Sequence, residues 1–223
     1  MKIEFIPASQ QVQDITESPV PAKTVIPDWY KKIMPNRDNP NIKACPPFLE
    51  SLTHGYIQKT WADIYVKETS DGITIDASHQ QNIVNYREPN DLPEMHGYLH
   101  FQFLWNSVWS PVFPPNFSGI VCHPLNRIDL PFYTFSGVVE YDEFQHVPHG
   151  NLPFYLKKDF TGLIPKGTPM YQLIPFAREN WEASNRQFNQ EFWDKRMAEK
   201  APDPHNFYKK NIWKKKEFEK ENL

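Results

Sequence analysis

Glu140 and Asp142, two residues apart, and the adjacent pair Asn126 and Arg127 are side chains able to orient a water and grip an anionic group. Together they could form a pocket for a small polar ligand. The competing reading pairs Arg127 with Asp129, or with one of the two acids, and leaves both carboxylates on one side of an exposed strand end. General experience favours that reading, since most carboxylates beside arginine are solvated pairs.

The eight histidines raise the question of a metal. His96 and His100 lie four apart in a segment that reads as a strand, which would separate them by about 13 Å, too far to share an ion. No His-Glu-x-x-His motif and no His-x-Asp pair of an iron triad is present. His146 and His149 fall in a proline-containing loop and would need a third ligand, such as His123, from elsewhere. Structural or surface histidines are therefore expected, with no metal site and no cofactor named by the pattern. His123 and His100 join Asn126, Arg127, Glu140 and Asp142 in the candidate ligand-binding set. Cys122 precedes His123, but neighbours on a strand face opposite ways, so the two do not make a nucleophile and its base. Buried, inert thiols are expected for Cys122 and Cys45.

Residues 207–216 hold Lys209, Lys210, Lys214, Lys215 and Lys216 with interleaved rings and no acid. Such a segment could stack on single-stranded nucleic acid. It could equally pin Phe207, Ile212 and Trp213 onto the body or a neighbouring subunit while the lysines reach water. A net charge of −3 argues against a general grip on nucleic acid or anionic lipid and favours docking.

These groups need a scaffold, and 223 residues suffice for one core with an appendage. Hydrophobic residues are 39% of the chain but 15% are aromatic, so large rings must supply much of the buried area. Twenty-two prolines against eight glycines disfavour long helices and long central strands. Two cysteines without a close-spaced partner suggest no disulfide framework, and the cytoplasm is the expected setting. No run approaches the ~20 apolar residues of a membrane span.

The expected organisation is an extended N-terminal strand and arm over 1–24, a β domain over 25–177, and a helical, basic and aromatic tail over 178–223. Pro27 opens a short helix, and 45–52 forms a second apolar turn. A strand is expected over 57–66, with Ile57, Trp61 and Tyr65 on one face. Ser70, Asp71 and Gly72 mark a hairpin, because Asp-Gly tolerates the positive φ of a tight turn. Further strands are expected at 82–86, 98–105, 118–123, 133–141, 152–156 and 170–176. Trp181, Phe188 and Phe192 recur at helical spacing, which predicts an amphipathic helix packed back on the body. The fold class is thus all-β, a barrel or sandwich of short strands, with a short N-terminal helix and a C-terminal amphipathic helix.

Several segments carry a resemblance: Ile26 to Tyr30, Lys43 to Phe48, His96 to Phe101, Pro124 to Arg127, Ser136 to Asp142, and Ile164 to Phe176. Together they resemble an uncharacterised family found in tailed phages and bacteria, which implies a β fold and a phage origin without an activity. The order of Gly137 to Phe144 and Ile164 to Leu173 is also similar to the dUTPase and dCTP-deaminase barrel. That family's catalytic aspartate is Glu140 here, and its Arg-Ser-Ser motif and glycine-rich arm are missing.

The resulting expectation is a phage-type protein that holds a small polar, nucleotide-like ligand in a β pocket. The alternatives are a virion-associated or host-interaction protein without catalysis, self-assembling as an oligomer, and a metal-dependent enzyme.

Overall fold

Apolar runs cut short by proline, asparagine and glycine become strands of two to nine residues. The computed structural model describes residues 1–36, 41–70, 72–77, 82–87, 93–144 and 150–221, with Gln102 described by its backbone alone. The strands are β1 (Glu4–Pro7), β2 (Val20–Pro21), β3 (Tyr56–Lys59), β4 (Ile64–Thr69), β5 (Gly72–Ala77), β6 (Val84–Arg87) and β7 (Gln102–Ser107). They continue with β8 (Trp109–Val112), β9 (Phe117–Cys122), β10 (Phe132–Thr134), β11 (Gly137–Val139), β12 (Gly150–Leu156), β13 (Gly162–Ile164) and β14 (Pro169–Ala177). The α-helices are α1 (Gln10–Ile15), α2 (Asp28–Lys32), α3 (Pro46–Thr53), α4 (Gln190–Lys200) and α5 (Phe207–Asn211).

Among the described residues all strand pairs are antiparallel, in four open sheets ordered β1-β8, β10-β12-β7-β6, β11-β9-β14-β3-β2 and β13-β4-β5. Among the described residues no sheet closes on itself, so the all-β class takes its sandwich-like form and not that of a barrel. One aromatic core joins the sheets. Trp105 and Phe103 of β7, Phe132 of β10 and Phe154 of β12 meet Val121 of β9 and Met170 and Leu173 of β14. Trp105 stacks on Phe154 with ring centroids 3.8 Å apart. Its indole N–H donates to Thr134 Oγ1 at 3.0 Å, and that hydroxyl donates to the Met170 carbonyl at 2.8 Å, tying the two largest sheets together.

The expected hairpin forms, with Thr69 opposite Gly72; Asp71 lies outside the described residues. Elsewhere long-range pairing reshapes the local pattern. The strand expected over 57–66 divides, because Thr60 bonds to Pro165 and Thr168 while Asp63 accepts the Lys166 amide, moving the chain from one sheet to another. Trp61 is therefore buried off-strand and Tyr65 is exposed, and the expected shared face does not exist. The 133–141 strand divides likewise, β10 and β11 belonging to different sheets. Residues 10–15, expected extended, form α1, whose start is capped by Ser9 Oγ accepting from the Val12 amide.

The segment around His96 is a turn, and β7 begins only at Gln102. The strand spacing assumed between His96 and His100 is thus incorrect, and both residues are exposed. The C-terminal expectation changes most. Residues 178–189 have no regular structure, α4 begins at Gln190, and none of its residues is buried. Trp181 and Phe188 precede the helix they were expected to share. The helix does not pack back on the β body.

Candidate functional site

Gln172 of β14, 1% exposed, braces one corner of the fold. Its Nε2 donates to the carbonyls of Ser51 and His54, while its Oε1 accepts from the Leu125 amide at 2.8 Å. That clamp holds α3 against the turn after β9, where Asn126 adopts φ 59° and donates through Nδ2 to Ser51 Oγ. Asparagine is among the few residues that enter this left-handed region readily. Arg127 then donates through Nε and Nη2 to Asp129, both at 2.9 Å, and Trp29 Nε1 donates to Asp129 at 3.2 Å. Burial alone would raise the Asp129 carboxyl, but the hydrogen bonds and charge of Arg127, with Trp29, hold it below the usual range. Tyr30 stacks on Phe48, and Lys43 lies over the Tyr30 ring at 4.2 Å. The Ile26 to Tyr30, Lys43 to Phe48 and Pro124 to Arg127 segments therefore converge as a structural corner.

His123 belongs to the same brace. Its Nδ1 accepts from the Thr134 amide at 3.3 Å, which leaves the proton on Nε2 to be donated to the Arg127 carbonyl at 3.0 Å. Its ring stacks on Tyr133, and burial lowers its pKa. Both nitrogens are engaged, so His123 is a strut here. His100 is exposed in a bend and touches none of this.

Glu140 and Asp142 stand elsewhere. The register sets Val139 opposite Gly119 and Gly137 opposite Val121, which puts Glu140 near the start of β9 and His123 just past its end. Five strand steps, roughly 17 Å, separate the level of Glu140 from His123. Asp142 is buried, accepting from the Asn116 amide at 2.8 Å and from Arg178 Nη1 at 2.7 Å. Hydrogen bonds from Arg178 hold its carboxyl below the ordinary range. The six candidate residues thus do not form one pocket. Arg127 pairs with Asp129, as the competing reading has it.

Two clefts reflect this separation. One, of about 390 Å³, is lined by Arg127 and Lys166 over an apolar floor of Leu130, Phe160 and Ile164. The other, of about 590 Å³, holds Glu140, Glu143, Ser107, Ser110 and Asn151. Below it Ser107 meets Tyr171, whose buried hydroxyl is pushed up to about 12. Among the described residues no three His, Cys, Asp or Glu side chains gather to hold a metal ion; His146 and His149 lie outside those residues. Cys122 is buried, with its thiol pushed up to about 11 by desolvation, whereas Cys45 is only half-buried.

The most unusual surface is the C-terminal arm. It leaves the body where the Arg178 amide bonds the Asn116 carbonyl and the Arg178 guanidinium pairs with Asp142. It returns where Trp213 Nε1 donates to Glu50 Oε2 and Lys216 lies 2.7 Å from Glu50 Oε1. Phe218 then packs edge-on against His54 and Tyr56, and the Tyr56 hydroxyl donates to the Glu219 carbonyl. Between these feet, Trp181 is 87% exposed, Phe188 75%, Phe192 63%, Trp193 54% and Met197 49%.

No family model, curated protein or solved structure matches the chain.

The arm's docking was half legible. Trp213 docks as expected, but Ile212 is exposed, and the anchor extends to Phe218, Glu219 and Lys2–Glu221. Of the five lysines in 207–216, Lys210 pairs with Asp203, Lys215 with Glu217 and Lys216 with Glu50. Trp193 and Met197 were missed, although they stand one and five residues after Phe192 on a helix. Arg178 and Lys166 were missed because their partners are distant in sequence. No helix among the described residues is long and apolar enough to cross a membrane.

Proposed function

We propose that the chain is a non-catalytic interaction protein of phage type, whose β body holds out the 181–197 arm as a docking element. The single observation carrying this reading is the run of five large apolar side chains, all at least 49% exposed, between two well-anchored feet. Large apolar side chains held out in water on a folded chain mark a binding surface, because leaving them there forgoes the main favourable term of association. The separation of Arg127 from Glu140, with Arg127 paired to Asp129 and Asp142 to Arg178, argues against a single ligand pocket built from these residues. Sedimentation velocity tests the reading with wild type and a Trp181→Ser, Phe188→Ser, Phe192→Ser, Trp193→Ser variant. Wild type should associate as concentration rises while the variant stays monomeric. Identical sedimentation at all concentrations would argue against self-association.

A second reading rests on the smaller cleft. Among the described residues no acceptor meets Arg127 Nη1, and Lys166 adds a cation beside an apolar floor. An anion with a planar apolar part, as in a nucleotide, fits that chemistry. The Asp129 carboxylate offsets one of the two positive charges, so weak binding is expected.

A further inference from the structure

The turn after β11 holds two kinds of residue. Tyr141 and Asp142 are buried anchors. The Tyr141 ring packs on Phe113 with centroids 5.2 Å apart and lies so close to Gly119 that a Cβ there would meet it at 2.8 Å. Asp142 is fixed by the Asn116 amide and Arg178. Glu140 and Glu143 flank these anchors and are exposed, and the Glu143 and Phe144 amides both bond the Glu140 carbonyl, closing a helical turn. Three positions apart on such a turn, the two carboxylates stand on one side, at the cleft of about 590 Å³. Among the described residues neither forms an ion pair, and Arg178, whose charge they feel through space, is already offset by Asp142. The mouth of the cleft is therefore negative.

A second, independent feature lies deeper. The Trp109 indole reaches Thr16, so alternation along β8 turns Ser110 the other way, into the cleft. Ser110 is 7% exposed, yet its hydroxyl meets no hydrogen-bond partner among the described residues. Its neighbour Ser107 is engaged: it donates to the Trp109 carbonyl, which leaves the buried Tyr171 hydroxyl to donate to Ser107. A buried hydroxyl without a partner is costly unless something else bonds it.

We propose that this cleft binds a small organic cation, a primary ammonium carrying an apolar group, with Glu140, Glu143 and Ser110 accepting its N–H groups and Val138, Phe144 and Leu152 covering its apolar part. Three acceptors match the three donors of an ammonium, and the volume is that of a small-molecule pocket. A divalent metal is poorly served, since no third carboxylate or histidine joins the two acids among the described residues. The site stands apart from the docking arm, none of its lining residues belonging to 181–197.

Benzylamine titrated into the full-length chain and followed by NMR tests this. Saturable one-to-one binding is expected, with benzyltrimethylammonium weaker because it offers no N–H, and benzoate not bound. Glu140→Gln with Glu143→Gln should weaken benzylamine about tenfold, whereas Glu191→Gln with Asp194→Asn, which removes the same formal charge from α4, should leave it unchanged. Ser110→Ala should weaken it about threefold while keeping Tm within about 1 °C of wild type. Absence of saturable benzylamine binding overturns the site, even if calcium chloride binds in its place, as does equal weakening by the two charge-removing pairs. A larger fall in Tm for Ser110→Ala would mean that its hydroxyl serves the fold and not a ligand.

Discussion

Trp213 Nε1 donates to Glu50 Oε2 at 3.3 Å across a sequence separation of 163 residues. With Arg178 held by Asp142 at the other foot, this contact turns the last part of the chain into a loop standing on the β body. A docking element fixed at both ends loses less conformational freedom on binding than a free tail of the same composition.

Phe218→Ala should loosen the returning foot. The ring is half-buried against His54 and Tyr56, so the loss should be about 1–2 kcal/mol, below that of a fully buried phenylalanine. Calorimetry should show Tm lower by roughly 2–8 °C, and limited proteolysis should cut after 200 faster.

The same foot should respond to pH. Burial, aided by the Lys216 charge and opposed by Glu50, lowers the pKa of His54. The folded state therefore favours neutral imidazole, and the stability it contributes is present above the unfolded value of about 6.5 and is lost as pH falls below it. Stability should drop between pH 7 and pH 5.5, and His54→Gln should reduce that slope. Burial lowers the pKa of His123 as well, so some slope should survive the substitution.

Thr134→Val tests the link between the two largest sheets. It strands the Trp105 indole N–H and the Met170 carbonyl, both served by the Thr134 hydroxyl, at about 1–3 kcal/mol for each group left unpaired. Urea denaturation should show a lower midpoint with an unchanged slope.

Thiol titration at pH 8 should find one fast-reacting cysteine in the native protein and two after unfolding. Half-buried Cys45 should react, while Cys122, buried and with its thiol near 11, should not.

Inorganic phosphate and nucleotides should raise Tm only slightly, and Arg127→Ala should abolish that rise if the smaller cleft takes anions. An equal rise in the variant would remove the second reading.

The aromatic core was legible from composition, because a chain poor in aliphatics but rich in rings has few other ways to bury area. The flanks of the Ser70 to Gly72 turn were legible from local chemistry. The candidate site was not, for a topological reason. Asn126 and Arg127 look close to Glu140 and Asp142 along the chain, but antiparallel pairing of β9 with β11 sends the two groups to opposite ends. The true partners of the charged residues lie nearby for Arg127 and distant for Asp142, whose arginine is 36 positions on. Helical spacing at Trp181, Phe188 and Phe192 likewise gave no information on where the helix starts. Asn189 sets that start, its side chain accepting from the Phe192 amide at 2.9 Å.

The most direct test of the account is thermal unfolding of the Trp181→Ser, Phe188→Ser, Phe192→Ser, Trp193→Ser variant at a dilution where it and wild type are both monomers. Side chains that touch only solvent add nothing to the body, so the account predicts a Tm within about 1 °C of wild type. A fall of about 5 °C or more, equivalent to more than about 1 kcal/mol, would mean that these rings are buried on their own body, and would contradict the docking arm.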